Sequence, residues 1–207
     1  MKTLIASAVA GTLLSLLAAT SQAQSTVCFL KIEGAMPAIE GESTYTGHEK
    51  EIQVVSFQSG VTQTISIGKG GGGAGIGKAE FSSLKVFKYV DKASPALFVA
   101  CAAGKHIPTA TLFVVSPPAA TAAALGVAVT ASDAFFKIVL TDAFVSSVNE
   151  SGDHTDSQGN LLETITLEYS TIAWIYTPTD PQTSLPDPTK TVKGGWDIVR
   201  NKKLVVP

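Results

Sequence analysis

The sequence predicts a mainly β protein with a single short helix. Most of its segments alternate apolar and polar residues with period two and are rich in β-branched and aromatic side chains, which is typical of strands. One segment, from Ser94 to Gly104, carries helix signals instead. Nothing in the 207 residues repeats internally, and the length is enough for one domain with its own apolar core.

The longest predicted strand is Leu161–Tyr176. Alternation places one apolar set on a single face: Ile165, Leu167, Tyr169, Ala173 and Ile175. From Ile172 onward the other face also becomes apolar, through Trp174 and Tyr176. We therefore expect the first half of this strand to be solvated on one face and the second half to be covered. The other predicted strands are 26–33, 52–57, 61–67, 81–90, 111–115 and 135–140.

The predicted helix covers about residues 95–103. Ser94 stands at the N-cap, Pro95 at the first helical position and Gly104 after the last turn. Leu97, Phe98 and Cys101 are three and four residues apart, so they should form one apolar face against a sheet.

Three other segments are predicted to be loops. Residues 116–132 form an inserted Ala/Pro-rich loop of low complexity, residues 151–160 form a polar turn, and residues 179–188 form a loop rich in Pro and Asp.

The first 23 residues have the features of a secretory signal peptide. One Lys precedes an uncharged apolar run, and Ser21-Gln22-Ala23 supplies the small residues of a cleavage site after Ala23. The alternative is an uncleaved anchor helix. Cleavage predicts a secreted or periplasmic domain of residues 24–207 without a stable membrane span. Removing Lys2 from 15 basic residues leaves 14 against 17 acidic ones, a net charge of −3, which gives no electrostatic basis for binding nucleic acid.

Cys28 and Cys101 are the two cysteines of the chain. Export places them in an oxidising compartment, where they could form a disulfide. The alternative is two small buried thiols, and the sequence leaves both open because it does not give the distance between them.

Residues 68–79, GKGGGGAGIGKA, contain a G-x-x-x-x-G-K string similar to a phosphate-binding loop. That loop needs a helix after it to supply aligned N–H groups, and a Ser or Thr after the Lys to bind Mg²⁺. Here Ala79 follows the Lys and residues 80–90 alternate like a strand. We interpret the glycines as a flexible connector between two strands and predict no nucleotide cofactor.

No other pattern predicts catalysis or a metal site. His48, His106 and His154 are far apart and are expected to be solvated loop residues. The carboxylate pairs Glu40/Glu42 and Glu49/Glu51 fall in a charged loop and are expected on a solvated face. Asp153, Asp156 and Asn160 lack the ligand spacing of a calcium loop, and no serine lies in a G-x-S-x-G motif.

Several segments together resemble the haemolysin-coregulated protein (Hcp) family, the inner-tube proteins of the bacterial type VI secretion system. They occur in the family's order along nearly all of the mature chain: FLKIEG (29–34), GES (41–43), HEKEIQVVSFQSGV (48–61), KVFKYVDKASPALFVACAAGKHIPTATL (85–112), FFKIVLTDAFVSSVNESGD (135–153), ETITLEYSTIAWIYTP (163–178) and GGWDIVRNKK (194–203). The block from Val90 to Pro95, with GKHI at 104–107, is the most specific part.

The resemblance implies two packed antiparallel sheets that form a barrel-like domain with one helix. It also implies a structural, non-enzymatic protein whose partner is itself, in hexameric rings that stack into tubes and carry or shelter secreted effectors. The family offers no catalytic residues to transfer. Head-to-tail stacking of rings is the kind of contact that produces an open filament.

Two features depart from the family. Its members generally lack a cleaved signal peptide because the tube assembles in the cytoplasm, and their connection at residues 116–132 is shorter. If the leader is used, the chain would fold outside the cytoplasm and could not enter a cytoplasmic tube. The alternative is an exported monomer of the same fold that binds a partner or acts as an effector, since fold does not fix function.

Overall fold

The computed structural model describes residues 26–45, 47–66, 75–115, 134–155, 159–183 and 185–206. Within these ranges the chain forms nine strands, one α-helix and a short 3-10 helix at Pro188–Lys190. The predicted fold class, mainly β with one helix, is confirmed. In chain order the elements are β1 Val27–Glu33, β2 Ile52–Val54, β3 Ser56–Ser66, β4 Gly75–Tyr89, α1 Ser94–Ala102, β5 His106–Val115, β6 Ala134–Thr155, β7 Leu161–Tyr176, β8 Val192–Asp197 and β9 Lys202–Lys203.

Antiparallel pairing connects all nine strands. The main order is β2-β1-β5-β6-β7-β4-β3, with β8 added to β7 and β9 to β8. The two ends of this order, β2 and β3, are separated in the chain by Val55 alone, and the Val55 N–H donates to the Phe87 carbonyl of β4 at 2.8 Å. The strands therefore curve back on themselves in the barrel-like arrangement expected of the family.

One apolar core fills the inside of this curved sheet, and the strands that line it change face halfway along. On β6, Ile138 and Leu140 are buried in the first half, but Ala143 and Val145 are buried in the second. The change falls at Asp142, whose φ is +49°. Because β6 pairs with β7 throughout, the same change occurs on β7, between Leu167 and Ile172. The single apolar face predicted for β7 is therefore wrong beyond Tyr169.

The helix lies where it was predicted, but its cap and its buried face differ. Ala93 occupies the N-cap position, and Ser94 is the first helical residue. The buried residues are Ser94, Leu97 and Ala100, three apart, whereas Phe98 is 60% exposed. The end matches the prediction: Gly104 has φ +57°, its N–H donates to Cys101, and the Lys105 N–H donates to the Ala100 carbonyl.

One predicted loop is shorter in the structure, and another lies outside the described residues. Strand β6 continues to Thr155, so the polar turn predicted at 151–160 is shorter than expected; a register shift between Ser151 and Thr155 takes up the extra residues. The leader at 1–23 and the insertion at 116–132 lie outside the described residues, as do residues 68–74 of the glycine segment.

Candidate interaction surface

A groove opens on β7 at the point where its neighbour changes. Strand β4 pairs with the first half of β7 up to Leu84 opposite Leu167, and β8 pairs with the second half from Asp197 opposite Thr171. Between these two neighbours the sheet splits. The groove lies between the diverging β4 and β8, with the second half of β7 as its floor.

The groove is apolar and has a volume of about 200 Å³. It is lined by Gly60, Val61, Phe81, Ile172, Trp174, Gly194, Gly195 and Trp196. Trp174 is 43% exposed, and its ring meets Phe136 edge to face at 5.8 Å between centroids. Gly194 has open space where a side chain would stand, which leaves the Trp174 ring uncovered on the β8 side. An exposed tryptophan in an apolar groove is typical of surfaces that contact another protein.

A two-stranded arm stands beside the groove. Among the described residues, β3 pairs beyond Gly60 only with β4, and residues 61–65 are all exposed. Val61 and Ile65 are 52% and 59% exposed. An isolated pair of strands is marginally stable in water without a third strand or a packed face. The arm therefore adds a second apolar surface, with a free strand edge, next to the groove.

A buried polar cluster holds the helix to the other end of β7. Lys88 of β4 and Glu163 of β7 are fully buried and opposite each other, with 2.6 Å between Nζ and Oε2. The Ser94 hydroxyl donates to the same carboxylate at 2.7 Å and lies 3.0 Å from Lys88 Nζ. Asp91 adds a second carboxylate at 2.8 Å from Lys88. The Ser94 side chain thus ties the helix to the sheet and does not cap the helix.

His48 and Glu51 form a second buried polar cluster. We expected both to be solvated, and both expectations are wrong: His48 is 2% exposed and Glu51 7%. His48 Nδ1 lies 2.7 Å from Glu51 Oε2, and the imidazole stacks on Phe29 at 4.5 Å and 6°. Burial raises the pKa of the Glu51 carboxyl, against the opposing effect of the His48 hydrogen bond. The segment folds over β1 because Gly41 and Ser43 make backbone hydrogen bonds to Lys50 and Glu51.

The remaining candidates that the structure describes are not brought together into one cluster. Cys28 is buried and Cys101 half-buried, both are free thiols in this structure, and burial raises the pKa of Cys28. The disulfide left open by the sequence is therefore not formed here, and its formation in an oxidising compartment stays a prediction. His106 is exposed as expected and lies 3.0 Å from Asp142. Among the described residues, no group of three or more His, Cys, Asp or Glu side chains could hold a metal ion.

The structure confirms a strand after the glycine segment. Residues 75–79 already belong to β4, so no helix follows the glycines to hold a phosphate. In the parts of the chain that the structure describes, there is also no helix of the length and apolarity needed to cross a membrane.

The sequence carried a signal for one of the two buried clusters. Glu163 has the same parity as Ile165 and Leu167, and Lys88 the same parity as Val86 and Leu84, so alternation alone puts both charges on the core side of their strands. No comparable signal marks His48 and Glu51, because they lie in a loop without periodicity.

The comparisons with known proteins agree with one another. The family model described as "Type VI secretion system effector, Hcp" matches residues 29–176. Protein hcp1 of Pseudomonas aeruginosa is 31% identical over 166 residues, which cover 79% of this chain and 91% of that protein.

Solved structures agree as well. The structure of a type six secretion system protein matches 87% of this chain and all of its own at a TM-score of 0.73 and 28% identity. The crystal structure of Hcp1 from Salmonella typhimurium matches 86% of this chain and 99% of its own chain, with a TM-score of 0.62 and 31% sequence identity.

Proposed function

Because this chain belongs to the Hcp family of type VI secretion system proteins, we propose that it is a non-enzymatic structural protein that assembles into homo-hexameric rings, which can stack into tubes. The observation that carries the proposal is the apolar groove of Trp174 beside the exposed arm of β3 and β4. A soluble monomer rarely leaves an exposed tryptophan, exposed aliphatic side chains such as Val61 and Ile65, and a strand edge without a partner among the described residues together. Contact between copies would cover all three.

The near balance of acidic and basic residues favours association between copies over binding to nucleic acid. The whole chain has 15 basic and 17 acidic residues, so copies do not repel strongly and nucleic acid is not attracted. The groove itself is lined by apolar side chains and glycines, as expected for the centre of a protein interface. Secreted effectors held inside the ring are the further partners that we propose.

Electron microscopy of the purified mature chain, residues 24–207, tests the proposal. We expect ring-shaped particles with sixfold symmetry in negative stain, and short stacks at high protein concentration. Single small particles at every concentration would contradict it.

A second function is favoured by the signal peptide at residues 1–23. If the leader is cleaved after Ala23, the protein is secreted or periplasmic, and we propose as the alternative an exported monomer that binds a partner or acts as an effector. Cytoplasmic tube assembly is the opposite localisation. N-terminal sequencing of the native protein from each cell fraction distinguishes them: a start at Gln24 outside the cytoplasm favours export, and a start at Met1 in the cytoplasm favours the tube.

Export also bears on the cysteines. In an oxidising compartment we propose that Cys28 and Cys101 can pair, which would require movement from the free thiols of this structure. Labelling with a thiol reagent after unfolding, with and without reductant, checks the bond. Two labelled thiols without reductant would exclude it.

A further inference from the structure

The segment from Gly41 to Glu51 covers a second, smaller apolar cluster on the outer side of the sheet. Phe29, Val115 and Ala134 form its centre, with Tyr45 and Phe113 packed against them. His48 lies on top: its ring stacks on Phe29 and meets Phe113 edge-on at 5.0 Å. The segment therefore acts as a cover, and His48 is the side chain that seats it.

The contact that holds His48 is a titratable pair. His48 Nδ1 and Glu51 Oε2 are 2.7 Å apart, and both side chains are more than nine-tenths buried. No other described group lies within hydrogen-bonding distance of the second ring nitrogen, Nε2. A pair that carries one mobile proton has no net charge, whether the proton is on the imidazolium or on the carboxylic acid.

We propose that the described residues 41–45 and 47–51 form a pH-sensitive cover, which is seated while the His48–Glu51 pair carries one proton and released when the pair gains a second proton or loses the first. Either change places a net charge in a site closed to water, where charge is strongly unfavourable. Release separates the pair, solvates the charge and exposes the aromatic surface of Phe29 and Phe113.

Charged groups of both signs face the pair from the neighbouring strands and from the cover itself. From β1, Lys31 lies near Glu51 and is paired with Glu33 at 2.8 Å; from β6, Lys137 Nζ stands 5.5 Å from the Phe113 ring centroid. Within the cover, Glu49 and Lys50 are exposed, and the phenol of Tyr45 packs beside the imidazole. Lys31 and Glu33 act on the Glu51 carboxyl in opposite directions, and the Glu49 carboxylate interacts with His48, so we expect release on both the acid and the alkaline side.

Release of the cover as the pH rises follows from the burial of the Glu51 carboxyl. Burial raises the pKa of its carboxyl, so the folded cover holds this proton to a higher pH than the unfolded segment does. The stabilisation from that proton is fully present below the unfolded pKa and is lost as the pH rises through the folded one.

Hydrogen exchange of the full mature chain, expressed as protection factors to remove intrinsic pH effects, tests the proposal between about pH 4 and about pH 9, a range that spans ordinary carboxyl and imidazole titration. We expect protection of residues 41–51 to pass through a maximum and to fall on both the acid and the alkaline side of it. Protection of β5 and β6 should stay constant over the same range. Binding of a hydrophobic dye should rise as protection falls.

Two variants and one control make the result specific. The double variant His48→Phe with Glu51→Leu keeps a ring on Phe29 and removes both titrating groups, so its cover should show no pH dependence. If that variant does not fold, Glu51→Gln, which keeps a polar partner for His48, should lose the alkaline arm. His106→Gln, in an exposed pair with Asp142, should leave the profile unchanged. Wild-type protection that is flat with pH, or a maximum that persists in the double variant, would overturn the proposal; neither outcome bears on ring assembly.

Discussion

The two ends of β7 are built in opposite ways. At the first end, Glu163 is polar and fully buried, with Lys88 as its partner under the helix. At the second end, Trp174 and Tyr176 are apolar and 43% and 48% exposed. We expected the first half of the strand to be solvated on one face, as it is at Glu168, and the second half to be covered, which is wrong for the single chain because Trp174 and Tyr176 are exposed. The buried end is complete within one chain, whereas the exposed end is the surface at which we propose contact with another copy.

Removal of Glu163 should have the largest effect of any change at these two ends. Glu163→Ala leaves the Lys88 ammonium buried without its main partner, which costs about 3 to 5 kcal/mol of unfolding free energy when one member of a buried pair is lost. Urea unfolding measures this loss. The matched control is Glu33→Ala, which breaks the exposed pair with Lys31 and should cost no more than about 1 kcal/mol.

A double variant separates the charge from the packing at this end. Lys88→Met with Glu163→Leu removes both partners, and we expect it to recover most of the stability lost in Glu163→Ala, since well-packed apolar replacements of a buried pair are often neutral. An equal loss in single and double variants would show that the ion pair is not the cause.

At the open end, two adjacent glycines of β8 should respond differently to a methyl group. A Cβ on Gly195 would stand 2.9 Å from Val206 Cγ2 and 3.0 Å from the Ile172 carbonyl, whereas a Cβ on Gly194 meets nothing within 4 Å. Gly195→Ala should therefore cost roughly 1 to 3 kcal/mol, as overpacking does, and Gly194→Ala no more than about 0.5 kcal/mol. Urea unfolding of the two variants side by side checks this. Equal losses of stability in the two variants would contradict the prediction, because they would mean that Val206 does not pack against Gly195 of β8.

Tyr169 lies between the two ends and gives the smallest effect. Burial, followed by the Glu168 charge, raises its pKa to about 12, and its hydroxyl donates to the Ser82 carbonyl at 2.8 Å. A raised pKa means that stabilisation is complete below the unfolded value and is lost as the pH rises through the folded one. Absorbance of tyrosinate should show one tyrosine that ionises near pH 12, and Tyr169→Phe should remove that step.

The sequence predicted the class of fold and the position of its elements because period-two alternation and helix-end residues are local signals. It did not predict the change of face on β6 and β7, because that depends on the positive φ of Asp142 and not on side-chain pattern. The burial of His48 and Glu51 was missed for a related reason: a loop has no period from which its inner side can be inferred. The exposure of Trp174 was not predicted because an apolar residue in an alternating strand indicates burial, whatever covers it.

The most direct test of the central claim is the light-scattering mass of the wild-type mature chain and of Trp174→Glu at the same concentration. The account predicts a mass of six subunits for wild type and a smaller one for Trp174→Glu, because a charge in the groove opposes burial of that surface. The control Val199→Glu, at a residue 75% exposed and outside the groove, should keep the wild-type mass. A wild-type protein that stays monomeric, or a Trp174→Glu variant that is folded and still hexameric, would contradict the claim that the open end of β7 is a contact between copies.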